Sequence, residues 1–121
     1  GLSYLCVRKG LRNLMEKPLK KSDRELFELI SASVKTGNYV FLKHAKKRLE
    51  EREILDIEVL DILEGKPGKK TKRNKSKDTY EYGRQDWNYC IEGEDIDSAN
   101  IRIIISFSDD LMPIITVIRL S

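Results

Sequence analysis

Lys66-Pro-Gly-Lys-Lys-Thr-Lys-Arg-Asn-Lys-Ser-Lys77 is the stretch that divides this chain into two unlike halves. It holds no large apolar residue, opens with Pro67 and Gly68, and carries Lys66, Lys69, Lys70, Lys72, Arg73, Lys75 and Lys77. A mobile cationic loop is expected there. Before it, apolar residues recur at helical spacing; after it, they come in β-branched runs. Helices first and strands afterwards is the α+β order, with a small antiparallel sheet expected to pack against the helices.

Working outward, Ser22 and Asp23 are good N-cap residues, and Leu26, Phe27, Leu29, Ile30 and Val34 follow until Gly37, predicting a helix over 23–36. Tyr39 to Leu42 reads as a short strand. Lys43 to Glu51 then resumes with strong helix formers, and Leu42, Ala45 and Leu49 form its apolar stripe. A break is expected near Glu53 and Ile54, after which Asp56 can cap a third helix carrying Val59, Leu60, Ile62 and Leu63 and ending at Gly65. Beyond the loop, 79–82, 87–91, 101–107 and 114–120 read as strands, with Asp109 and Asp110 supplying the last turn.

The 121 residues suit one domain, placed at 22–121, with 1–21 as an N-terminal arm or extension. Residues 1–14, ahead of Met15, read as either an upstream extension or a loosely ordered arm. A 40% hydrophobic and 36% charged composition favours folding over disorder. The net charge of +3 is too small to imply nucleic acid by itself, so the distribution of charge matters more. Cys6 and Cys90 lie in unlike contexts, which argues against a disulfide framework and for a reducing cytoplasm. One histidine and no cysteine pair at ligand spacing give no support for zinc; no metal and no cofactor are expected. No apolar run approaches the roughly 20 residues needed to span a bilayer, and Arg8, Lys9 and Arg12 follow the first apolar patch where a signal peptide would put its charge first. A cytoplasmic protein with no membrane partner is the expectation.

The segment Phe41-Leu-Lys-His-Ala-Lys-Lys-Arg-Leu-Glu-Glu-Arg-Glu-Ile54 resembles the signature of a family of small bacterial domains of unknown function, in which a short strand leads into His-Ala-x-x-Arg and then Arg-x-Ile. Later pieces agree in order: the third helix, the strand Tyr89-Cys-Ile-Glu-Gly93, the apolar strand 101–107 and the closing Ile115-Thr-Val-Ile118. The resemblance covers roughly residues 37–120. That family is similar in fold to the RelE and MqsR ribonuclease toxins, so it implies a RelE-like fold, RNA as substrate and an antitoxin protein as partner. Glu53 departs from the pattern, since the family usually has glycine there, and a tight turn must be made without an easy positive φ. The lysine-rich loop is a second departure.

Candidate chemistry centres on the second helix. His44 and Arg48 are four residues apart on one helical face. His44 is the candidate general base for a ribose 2′-hydroxyl, and Arg48 and Arg52 are candidates to hold the scissile phosphate in a bidentate fork. The plainer alternatives are that His44 orients neighbouring backbone and that the arginines pair with Glu51, Glu58 or the acidic run Glu92, Glu94, Asp95 and Asp97. Lys69, Lys70, Lys72, Arg73, Lys75 and Lys77 would neutralise phosphates, and Tyr82 and Trp87 would stack on unpaired bases, although such lysines are often merely solvated and such aromatics often face a core. The resemblance to the MqsR toxins, which place catalytic lysine, glutamine and tyrosine residues in this general region, makes Gln85, Tyr89 and Arg119 further catalytic candidates; Cys90 reads as a small core residue. Two functions follow as expectations: a toxin-like endoribonuclease cleaving RNA without metal through 2′-hydroxyl attack, or a non-catalytic RNA- or protein-binding module.

Overall fold

The computed structural model describes residues 17–109 and 111–120; residues 1–16, including Cys6, together with Asp110 and Ser121, lie outside the described residues. Helix α1 (Asp23–Thr36) starts on a capping box, in which the Ser22 hydroxyl accepts the Glu25 N–H at 3.2 Å and the Glu25 carboxylate accepts the Ser22 N–H at 3.4 Å. It ends on Gly37, left-handed at φ 78°. Leu26 and Ile30 lie on its inner face and are fully buried. Strand β1 (Tyr39–Phe41) leads into α2 (Lys43–Arg52), which Glu53 terminates in the left-handed region at φ 53°, ψ 43°. Helix α3 (Asp56–Glu64) follows. Its N-cap is Leu55; Asp56 is the first helical residue, and its carboxylate accepts the Ile57 N–H at 2.8 Å.

Strands β2 (Lys72–Arg73), β3 (Tyr89–Glu94), β4 (Asn100–Ile105) and β5 (Met112–Arg119) complete an open five-stranded sheet in the order β1-β5-β4-β3-β2. The α+β architecture is the expected one, and the sheet is mixed, because β1 runs parallel to β5 while every other pair is antiparallel. Alternation in β4 puts Ile101, Ile103 and Ile105 into the core. In β5 the register slips at Ile115, so Ile114 and Val117 both turn inward across the bulge. Helix α2 packs on β5 and β1, and α3 on β3 and α1.

Besides the mixed sheet and the cap of α3, three sequence expectations change. Residues 79–82 form no strand; Thr79 makes one isolated bridge with Asn88, and the chain then turns at Gly83. The edge of β3 that such a strand would need is taken: Asn74 donates its N–H to the Cys90 carbonyl, and the Asp78 carboxylate accepts the Cys90 N–H. Trp87 precedes the sheet, since β3 begins at Tyr89. The cationic stretch is tethered, for Lys72–Arg73 pairs with β3 and Lys75–Lys77 forms a short 3-10 turn.

Candidate nucleic-acid interface

On α2 the helical period separates the side chains cleanly. Ala45 is fully buried and Leu49 half-buried, while Lys43, His44, Lys46 and Lys47 are exposed. His44 makes no hydrogen bond and no ion pair with any described residue, so its imidazole stands open one turn before Arg48. Arg48 is half-exposed and donates to Glu51 at 3.2 Å, with Lys47 at 4.0 Å from the same carboxylate. Arg52 is exposed at the end of the helix.

The basic stretch at the other edge of the sheet splits by register. Lys72 lies opposite Glu92 on the open face of the sheet, whereas Arg73 lies opposite Ile91 and turns to the helix side. The Arg73 side chain is only 3% exposed. Its guanidinium donates to Asp78 at 2.8 Å and 3.2 Å, to Asp23 at 2.8 Å and to the Lys21 carbonyl at 2.8 Å, and sits 5.2 Å from the Tyr89 ring centre. Burial acts to discharge it, but the bonds to Asp78 and Asp23 prevail and hold its pKa above the ordinary value. Lys72, Lys75 and Lys77 are exposed, Lys69 is half-buried, and Lys70 pairs with Glu94 at 3.3 Å.

The aromatic candidates are mostly occupied. Tyr89 is fully buried; its hydroxyl donates to Asp86 at 2.5 Å and accepts the Lys21 N–H at 3.1 Å, and burial together with Asp86 pushes its pKa well above the usual range. The Trp87 indole N–H donates to the Pro18 carbonyl at 2.7 Å, and Lys20 lies 4.6 Å over its ring. Tyr82 stays 79% exposed. The Gln85 amide is bonded at both ends to Asp109, at 3.2 Å and 3.0 Å. Arg119 reaches Asp95 at 3.5 Å, and its Nε is buried without a partner among the described residues. Cys90 is buried, and burial pushes its thiol up to about 11.

Two features escape a reading by composition. Glu92, buried on β3, accepts from Arg102 Nε and Nη2 at 2.9 Å each and from Asn74 at 3.0 Å. Burial raises its carboxyl, yet these bonds and the charges of Arg102 and Lys72 outweigh burial and hold it below the usual carboxylate range. A carboxylate inside an apolar strand was the available signal, though its partner depends on register. The second feature is a cleft of about 430 Å³ in which Leu42, Gln85, Ser106, Phe107, Ser108 and Pro113 meet. It brings the Gln85 turn beside the N-cap of α2, two residues from His44.

His44, Arg48 and Arg52 thus share α2, over β5 and β1, while the lysines Lys69 to Lys77 flank β3 at the opposite edge of the sheet. Four strand spacings separate the two edges, roughly 19 Å at about 4.8 Å each. Among the described residues no group of acidic, histidine and cysteine side chains is arranged to hold a metal, and no helix is long and apolar enough to cross a membrane. Compared with known proteins, residues 41–119 match the model of a family described as "Domain of unknown function (DUF4258)". No curated protein and no solved structure matches the chain.

Proposed function

The chain belongs to the DUF4258 family, and from its surface we propose that it binds single-stranded RNA as a toxin-like endoribonuclease of a toxin–antitoxin type system, related in fold to the RelE and MqsR toxins. The observation that carries this reading is the state of α2: an exposed His44, without a hydrogen bond or ion pair among the described residues, one turn from Arg48 and flanked by the exposed Lys43, Lys46 and Lys47. An imidazole next to a guanidinium pairs a proton acceptor for a ribose 2′-hydroxyl with a charge that suits the pentavalent phosphate. The exposed lysines at the far edge would hold the strand electrostatically. An antitoxin in this reading covers the basic face, and the site of action is the cytoplasm.

Incubating purified protein with a labelled single-stranded RNA, with EDTA present, tests this directly. Cleavage with 2′,3′-cyclic phosphate ends is expected, with a loss of about a hundredfold in His44→Ala. Cleavage that is absent, or equal in wild type and variant, removes the catalytic reading.

One observation favours a second reading, a non-catalytic RNA-binding module. The further catalytic candidates Tyr89 and Gln85 are already engaged, Tyr89 by burial and its bond to Asp86 and Gln85 by its two bonds to Asp109. Binding that survives His44→Ala but is lost on neutralising Lys69, Lys70, Lys72, Lys75 and Lys77, with no cleavage by either protein, supports it.

A further inference from the structure

We propose that the cleft beside the α2 N-cap is a subsite for one unpaired nucleobase, an inference that rests on the RNA-binding reading. A nucleobase has two apolar faces and a polar edge, and the cleft offers both kinds of surface. Leu42, Phe107 and Pro113 supply apolar lining, while Gln85, Ser106 and Ser108 supply an amide and two hydroxyls to the same cleft. The Gln85 amide is already oriented by its two bonds to Asp109, so a base edge would meet a fixed donor and acceptor, each with capacity for a further bond. Ser106 is likewise fixed, its hydroxyl donating to the Trp87 carbonyl at 2.8 Å. At about 430 Å³ the cleft falls in the range of small-molecule sites, several hundred Å³.

Its electrostatics fit a base attached to a phosphodiester. Two carboxylates reach the lining, and each is paired: Glu81 with Arg84 at 3.2 Å and with the Asn88 amide at 3.3 Å, and Asp86 with Lys21 at 2.6 Å and with the Tyr89 hydroxyl. Arg84 also lines the cleft and is 69% exposed; its Nε is given to Glu81, and its terminal N–H groups suit a phosphate. Leu42 joins the cleft to α2, so a base seated there brings its ribose toward the helix turn that carries His44.

The test compares the affinity, by fluorescence anisotropy, of an eight-nucleotide RNA carrying each base twice with that of its abasic ribose-phosphate counterpart. Wild type is expected to bind the base-bearing RNA at least tenfold more tightly. Ser108→Trp, at an exposed position, fills the cleft and should erase that preference while leaving abasic binding unchanged. Should that variant fail to fold, the uncharged Leu42→Ser at the exposed N-cap, which removes an apolar lining side chain, serves in its place. Equal affinity of wild type for the two oligomers overturns the subsite while leaving electrostatic RNA binding standing. A preference that survives both substitutions also overturns it, and failure of wild type to bind either oligomer overturns the RNA reading together with the subsite.

Discussion

At Gly93, where α3 crosses β3, an added Cβ would meet Ile62 Cγ2 at 2.5 Å and the Lys69 carbonyl at 2.9 Å. The second contact is backbone, and that backbone is fixed because Lys69 O accepts the Glu94 N–H at 2.6 Å. Gly93→Ala should therefore cost about 1–3 kcal/mol through overpacking, read as a lower midpoint in urea denaturation. Glu53 presents the opposite case. It holds φ 53° with a side chain that disfavours it, and its N–H and that of Ile54 close the end of α2 on Glu50 and Leu49. Glu53→Gly should raise stability by about 1 kcal/mol, less the added entropy of glycine in the unfolded chain. A midpoint unchanged or lowered would show that the left-handed turn is not strained. The turn itself was legible in the sequence, since the break falls between two apolar stripes; the left-handed conformation of Glu53 was signalled only by the glycine that the resembled family has there, because nothing in its own residue type favours positive φ.

Among the elements, the short β2 matters most, because a one-residue shift in its register would exchange Lys72 and Arg73 between faces. Arg73 reads as an RNA ligand from composition alone, being one cation among seven in its stretch; pairing with β3 instead buries it against Asp78 and Asp23. The helices were legible because caps and 3.6-residue spacing are local, and β4 and β5 because their apolar runs are long. The parallel pairing of β1 with β5 was not, since it joins segments far apart in sequence with no local signal. The register of β3 on β4 sets Glu92 opposite Arg102, and this pair makes stability depend on pH. The folded carboxyl lies below its unfolded value of about 4.3, so its stabilisation is complete above that value and is lost as pH falls through the lower folded pKa. Glu92→Gln should therefore flatten the acid limb of a thermal-midpoint profile measured between about pH 2 and 6. A limb as steep as that of wild type would mean that other carboxylates govern it.

For the whole molecule, a net charge of +3 conceals a divided surface. Exposed cations lie along α2 and along the β2 edge, while three acidic groups of the β3 side, Glu92, Glu94 and Asp95, are bound to Arg102, Lys70 and Arg119. Affinity for RNA should then follow the placement of free lysines and not the net charge. For single strands the logarithm of the binding constant falls with the logarithm of salt by about 0.7 for each phosphate neutralised. Replacing Lys72, Lys75 and Lys77 by Gln, three exposed positions, should reduce the slope by about 2 if each contacts one phosphate. The same count of substitutions on α2, at Lys43, Lys46 and Lys47, provides the comparison. Equal reductions place the strand across both edges of the sheet, which a flexible single strand can span. A reduction from the α2 set alone confines the RNA to the His44 side and makes the lysines of the β2 edge simply a solvated face.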